Sequence, residues 1–202
     1  MMRVPLIGPV YPYRGGIAHY SAQLVQALEA AGHNVDTISF KRQYPGWLYP
    51  GASDRDPSQD GLRVKADYLL DPLYPWTWMK ALQRISKQSP DLVVIQWWTT
   101  FWALAFAYLA AGLRRKGIRV VFIIHNVFPH EARFFDRPLA KLSLKQGSAF
   151  VAQTEREKER LLALLPGRRV ALCTLPVYCV LAGKCIPLRE ARRKLGLAEN
   201  TP

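Results

Sequence analysis

Two short apolar runs constrain this chain more than any other feature. Leu92 to Ile95, which follow Asp91, and Val120 to Ile124 show no polar alternation. Runs of this kind mark strands buried on both faces. Burial on both faces requires helices above and below the sheet, and such sheets are parallel. The segment between the runs supplies one helix. Trp97 to Leu113 is apolar almost throughout and closes on Arg114, Arg115 and Lys116. It sits at the short end of the roughly 17–25 residues that a membrane span needs. It also carries Thr99 and Thr100 and lies between two strands, so it reads as a buried crossover helix.

The stretch from Arg3 to Leu28 opens the same pattern. Val4 to Ile7 is a short apolar run that stops at Gly8. A loop with Pro9, Pro12, Gly15 and Gly16 follows, and apolar residues then return at helical spacing as Ile17, Tyr20, Leu24 and Leu28. A strand feeding a helix through such a loop is half of a βαβ unit. Gly15 and Gly16 admit two readings. They permit a tight turn with positive φ, or they bring bare backbone N–H groups and the positive helix end close to an anion or polar group. The spacing is not that of the GxGxxG dinucleotide fingerprint.

The rest of the chain keeps the alternation. Val35 to Phe40 predicts a strand, Leu62 to Lys65 a short strand and Trp76 to Ser86 a helix. Leu139 to Lys145 predicts a helix, Ala149 to Ala152 a strand, Glu155 to Leu164 a helix and Val170 to Cys173 a last short strand. Thr154 and Glu157 form a capping box ahead of the helix at Glu155. Residues 175–187 lack periodicity and read as a linker, and Leu188 to Leu195 predicts a charged amphipathic helix closed by Gly196. The expected fold is therefore α/β over residues 1–174. It is Rossmann-like, with a doubly wound, mostly parallel sheet and helices on both faces. Ligands bind such sheets beyond the carboxyl ends of the strands. The groups following the strands are Gly15-Gly16, Gln96-Trp97, His125-Asn126 and Gln153-Thr154. No serine nucleophile elbow, P-loop or HExxH occurs.

Half of the 202 residues are hydrophobic and 21% are charged, which excludes a disordered chain. The net charge of +13 favours phosphorylated ligands or anionic lipid. The cations are scattered in small groups without an RNA-binding motif, so nucleic acid is not an expected partner. Arg114, Arg115, Lys116, Arg168 and Arg169, taken as lying beside exposed aromatics, predict peripheral contact with an anionic membrane. Cys173, Cys179 and Cys185 match neither a disulfide framework nor a zinc pattern, and reduced thiols are expected. The first apolar run is broken by Pro5 and Pro9 and does not read as a signal peptide. A cytoplasmic protein, peripheral at the inner membrane face, is the expectation.

Five pieces, in order, resemble the N-terminal lobe of a retaining glycosyltransferase with the GT-B fold, of the family-4 type. They are Pro12 to Ser21 (PYRGGIAHYS), Leu28 to Val35 (LEAAGHNV), Pro90 to Gln96 (PDLVVIQ), Ile123 to Glu131 (IIHNVFPHE) and Leu188 to Leu197 (LREARRKLGL). The last piece resembles the entry to a second lobe, which makes residues 188–202 the start of a truncated C-terminal lobe. The resemblance implies transfer of a hexose from a nucleotide-diphosphate sugar to an acceptor hydroxyl, on a glycan or lipid-linked acceptor, with retention. It places Gly15 and Gly16 near the donor phosphate and acceptor, and His125 on the transferred sugar as the catalytic position. Asn126, His130 and Glu131 become substrate-binding candidates. His130 and Glu131 read equally as an acceptor-binding or general-base pair and as an ordinary loop pair. Gln96 stands where many relatives have histidine, so no catalytic role is carried onto it. The diphosphate clamp of the family belongs to the second lobe, so this chain alone is expected to be inactive. Asp54-Arg55-Asp56 looks like a metal-holding Asp-x-Asp element, but no carboxylate or histidine cluster accompanies it. It reads as a polar loop, and neither metal nor cofactor is expected. The alternative function is a basic, non-catalytic binding module for anionic lipid or a carbohydrate-processing partner.

Overall fold

A computed structural model describes residues 1–46, 53–57, 61–129, 131, 133–175 and 186–198. Its strands are β1 (Leu6–Ile7), β2 (Thr37–Phe40), β3 (Ala66–Leu70), β4 (Leu92–Trp97), β5 (Arg119–Ile124), β6 (Ala149–Ala152) and β7 (Val170–Leu172). They form one 7-stranded sheet in the order β3-β2-β1-β4-β5-β6-β7. Every neighbouring pair is parallel. The chain winds outward from β1 in one direction to β3 and then, from β4, in the other. β1 and β4 therefore flank the switch point, where successive loops diverge and leave a crevice.

The two apolar runs explain why this sheet forms. In β4 and β5, Val93, Ile95, Trp97, Val120, Phe122 and Ile124 join one core, and Val94 and Ile123 join another on the opposite face. Helix α1 (Gly16–Ala30) covers the second face with Tyr20, Leu24, Val25 and Leu28. Helices α2 (Pro75–Lys87), α3 (Ala103–Arg115) and α4 (Asp136–Leu144) supply Ala81, Ile85, Phe106, Leu109, Ala140 and Leu144 to the first. Helix α5 (Glu155–Leu164) packs on β6 and β7. Phe40, Phe106, Phe122 and Phe150 are essentially inaccessible to solvent. Each such side chain contributes roughly 1.5–3 kcal/mol by leaving water. The expected doubly wound α/β sheet is thus the observed one.

Local boundaries differ where side chains intervene. The segment read as a helix from Trp97 instead continues β4 through Trp97. Thr99 then caps a 3-10 turn, Thr100–Trp102, by accepting the Phe101 N–H at 3.3 Å, and α3 begins at Ala103. Among the described residues no helix is long and apolar enough to cross a membrane. The third strand lies at 66–70 rather than 62–65. It is an edge strand of mixed burial, so its alternation is blurred in the sequence. Helix α4 starts three residues before the expected Leu139, because the buried Asp136 carboxylate accepts the Arg133 N–H at 2.6 Å. Residues 176–185 of the expected linker, with Cys179 and Cys185, lie outside the described residues, and Cys173 is a free, exposed thiol. Helix α6 (Leu188–Lys194) buries none of its residues.

Candidate functional site

Groups following β1, β4, β5 and β6 build the site, on and beside the switch point, in three parts. The loop after β1 delivers Gly15, whose φ of 111° suits a residue without Cβ. Gly15 is the N-cap of α1, and no side chain caps that helix or places an acid in its first turn. That end carries the positive pole of the helix dipole. Gly16 is the first helical residue.

The second part is the histidine. β5 ends at Ile124, and the His125 N–H donates to Trp97 O at 2.9 Å, so the ladder runs one residue past the strand. His125 Nε2 lies 2.7 Å from Gln96 Oε1, and Gln153 also hydrogen-bonds the ring. The Tyr20 ring meets it edge-on with centroids 5.2 Å apart. These partners are neutral side chains. Burial pushes the His125 pKa down to about 4, and the Gln153 hydrogen bond only partly opposes this. The imidazole is neutral near pH 7. Because Gln96 Oε1 can only accept, the neutral ring carries its one proton on Nε2 and donates it to Gln96, which leaves Nδ1 as the acceptor nitrogen.

The third part holds these groups in place. Gly8 lies so close to Gln96 that a Cβ there would meet Gln96 Cγ at 2.5 Å. Gln96 is fully buried, and its Nε2 has no partner, as is also true of Gln153 Nε2. The loop after His125 is fastened at Val127. Its N–H donates to Glu157 Oε2 at 2.5 Å, and its carbonyl accepts from the Trp97 indole at 3.2 Å. Thr154 does cap α5, accepting the Glu157 N–H at 3.2 Å. The Glu157 carboxylate, however, leaves the expected reciprocal bond and turns to Val127 and to Arg160, 2.8 Å away.

The other expected residues fall at different places. Asn126 is half-buried beside His125, and Glu131 is exposed in a turn. His130 lies outside the described residues. Gln96 and Gln153 were visible as strand-end residues and Tyr20 as part of the apolar face of α1, whereas the contact of Tyr20 with His125 and the closeness of Gly8 to Gln96 carry no sequence signal. Asp54-Arg55-Asp56 is a backbone partner of the first loop. Tyr13 bridges Arg55, the Arg14 N–H donates to Asp54 O at 3.0 Å, and the Asp56 N–H donates to Pro12 O at 2.8 Å. Among the described residues no group of three His, Cys, Asp or Glu side chains is placed to hold a metal.

Two basic groups gather around residues 145–147. Arg114 donates to Gln146 Oε1 at 3.4 Å, and Arg168 donates to Lys145 O at 2.8 Å. Lys116, next in the chain to Arg114 and Arg115, lines a groove with the exposed aromatic Tyr108. Another cavity, about 510 Å³, opens at the amino ends of the strands. Its Arg84 is paired with Asp36 at 3.3 Å and with Asp67, which leaves that cavity internally compensated.

The sequence matches the family described as glycosyl transferase 4-like domain over residues 15–177. No curated protein matches it. It is similar in fold to a UDP-N-acetylglucosamine 2-epimerase from Rickettsia bellii, at 14% identity and a TM-score of 0.61, over 98% of this chain and 52% of that one. It is similar to Anabaena HepE in complex with UDP, at 15% identity and a TM-score of 0.57, over 97% of this chain and 50% of that one. An alpha-glucosyltransferase in complex with UDP and a 13-mer DNA containing an HMU base matches at 12% identity and a TM-score of 0.55. That match covers 96% of this chain and 45% of the other. The chain spans about half the length of these structures.

Proposed function

The chain belongs to the glycosyl transferase 4-like domain family, with the Rossmann-like fold of one GT-B lobe, and from that membership we propose that it forms the acceptor side of a glycosyl-transfer cleft. The reaction moves a hexose from a nucleotide-diphosphate sugar to an acceptor hydroxyl with retained configuration. The observation that carries this reading is His125, half-buried and neutral against Gln96, with Tyr20 of α1 edge-on to its ring. A neutral imidazole orients sugar hydroxyls without repelling the positive charge that develops on the sugar ring. The backbone at Gly15 and Gly16 offers a positive end to a phosphate or an acceptor oxygen. Asn126, Glu131 and His130 follow His125 in the chain and complete the proposed sugar and acceptor contacts. HepE and the alpha-glucosyltransferase hold UDP, which supports a nucleoside diphosphate as the leaving group. Its negative charge must be neutralised for departure, and that task is assigned to a second lobe. Neither a metal nor a cofactor is part of the proposal.

The test joins this lobe to a donor-binding lobe and supplies UDP-, GDP- and ADP-sugars with glycan and lipid-linked acceptors. The expected product keeps the donor's anomeric configuration by NMR. The 202 residues alone are expected to give no product and to bind donors more weakly than micromolar. Micromolar donor binding or turnover by this chain alone would overturn the shared-cleft reading.

A second property rests on a separate observation. Trp76, Met79, Leu104 and Tyr108 are exposed on α2 and α3, and Met79 and Tyr108 share a groove with Lys87 and Lys116. Apolar side chains ringed by cations support peripheral contact with an anionic membrane, such as the inner face of a cytoplasmic membrane. Each cation near such a surface contributes about 1 kcal/mol, and salt screens it. In liposome flotation, binding that ignores raised salt or persists without anionic lipid counts against this. A protein that floats but transfers nothing in two-lobe form is instead the basic binding module.

A further inference from the structure

We propose that Gln96 is a positioning residue that fixes what His125 can recognise. With its ring N–H held by Gln96, His125 meets the sugar only as a hydrogen-bond acceptor. It therefore selects a nucleotide-linked sugar that offers it a free hydroxyl; this rests on the glycosyl-transfer reading.

The register of three strands builds the arrangement. Leu6 pairs with Val94 and Ile7 with Ile95, so Gly8 comes next to Gln96. Ile123 pairs with Val151 and Ile124 with Ala152, so His125 comes next to Gln153. Gln96 and His125 follow Val94 and Ile123 by two residues, which turns both toward the face that α1 covers. Gly8 has no side chain to contest the space that Gln96 fills, since a Cβ there would meet Gln96 Cγ at 2.5 Å.

The amide is expensive where it stands. Gln96 is fully buried, and among the described residues its Nε2 has no hydrogen-bond partner. A buried donor without an acceptor destabilises a fold, and an apolar side chain of the same length would avoid that loss. What the amide contributes is its oxygen, 2.7 Å from His125 Nε2. The bond at one ring nitrogen decides which function the other presents. Gln96 is too deeply buried to touch a ligand, whereas His125 keeps part of its surface open, so Gln96 acts through the ring.

The consequence is a rule for the substrate. A bare Nδ1 accepts from a hydroxyl. A deoxy carbon, a fluorine or an ionised carboxylate gives it no proton. The side chains found around the ring are Gln96, Gln153 and Tyr20, and none of them is a cation to hold a carboxylate. A site built to bond a hydroxyl rejects the analogue that lacks it, because the buried group is left unpaired. At the carbon facing His125, the sugar class is then a neutral hexose with its hydroxyl intact, not a deoxy sugar or a hexuronic acid.

Nitrogen NMR of the His125 ring in the 202-residue chain, at neutral pH, reads where the proton sits. Gln96→Met keeps the length of the side chain without the amide oxygen. Gln96→Glu keeps the shape and an acceptor oxygen but adds a charge. Gln153→Met is the control from the neighbouring strand. The parent and the control are expected to show Nε2 protonated and Nδ1 bare. Gln96→Met should lose this single state and average between the two tautomers. Gln96→Glu should keep the proton on Nε2 and add one on Nδ1, because a carboxylate favours the charged ring. That variant keeps the test readable if Gln96→Met unfolds. A parent proton on Nδ1, unchanged ring nitrogens in a folded Gln96 variant, or loss of the tautomer in Gln153→Met alone overturns the proposal. The NMR reads no transfer, so its failure leaves the glycosyl-transfer reading standing.

A two-lobe protein then tests the substrate rule with deoxy and deoxyfluoro analogues at each carbon of the transferred sugar, and with the hexuronic acid. At one carbon the analogues should lose about a hundredfold or more in kcat/KM. Gln96→Met should erase most of that selectivity. No carbon with such a loss, or equal selectivity in Gln96→Met, overturns the rule. A two-lobe protein that transfers no sugar, with the expected ring state in the NMR, overturns the glycosyl-transfer reading instead.

Discussion

His125 Nε2 meets Gln96 Oε1 at 2.7 Å, across two strands whose register pairs Gln96 with Ile123. An amide, not a carboxylate, thus faces the imidazole. A carboxylate would draw a proton onto the ring, whereas an amide with desolvation keeps it off. The site therefore presents an uncharged imidazole at the carboxyl end of the sheet, with its N–H given to Gln96.

Burial lowers the His125 pKa from 6.5 to about 4, and this sets a pH dependence of folding. Between these values the unfolded chain binds the proton and the folded chain does not. Stability is complete above the unfolded pKa and falls as pH drops toward the folded one, by at most about 1.4 kcal/mol per pH unit. Urea midpoints of the parent and His125→Gln, taken at about pH 7 and about pH 5, measure it. The parent should lose more stability than the variant on acidification. Identical pH slopes would refute the buried neutral state.

Gly8→Ala tests the contact that sets Gln96. The added Cβ would meet Gln96 Cγ at 2.5 Å and Gln96 Cβ at 3.1 Å. The buried amide has nowhere to retreat, so the change is expected to cost about 1–3 kcal/mol. It should also disturb the His125 ring resonances in NMR. A variant as stable as the parent, with unchanged resonances, would show that the amide yields freely.

The sheet was legible because β4 and β5 carry their burial in uninterrupted apolar runs. The edge strand β3 was displaced in the sequence reading because Ala66 to Leu69 are only partly buried, so no clean period survives. The site was legible as places rather than contacts. Strand ends named Gln96, His125 and Gln153, because a parallel sheet fixes where its ligands sit. Glu157 was read as half of a capping box, a local rule. A tertiary partner, the Val127 N–H from another loop, took its carboxylate instead. Gly8 and Tyr20 act through distances between elements, and spacing along one chain does not encode these.

Glu157→Ala tests that tertiary bond. It leaves the N–H of fully buried Val127 without an acceptor. An unsatisfied buried donor costs about 1–3 kcal/mol. Glu157→Gln keeps an acceptor and should recover most of the loss. Hydrogen exchange at Val127 reads the effect locally and should speed up in the alanine variant alone. Equal exchange in all three proteins would remove Glu157 from the support of this loop.

His125→Ala, made in a two-lobe protein, separates a catalytic role from a structural one. The ring is held on three sides by Gln96, Gln153 and Tyr20, so its removal leaves a small polar hollow. Folding should suffer modestly, because a neutral buried histidine with replaceable partners contributes about 1 kcal/mol per hydrogen bond. Transfer should suffer much more. A positioned group that acts on the sugar as charge develops typically accounts for about 10²–10³ in rate. The loss is expected in kcat with KM little changed, since the contact strengthens as the sugar loses its leaving group. The measurement pairs steady-state kinetics with thermal melting of the same preparation. His125→Asn keeps one donor and one acceptor and should retain part of the rate. Unchanged turnover in His125→Ala, or a loss fully accounted for by the unfolded fraction, would leave His125 a packing residue and return the choice of sugar contact to Asn126 or its neighbours.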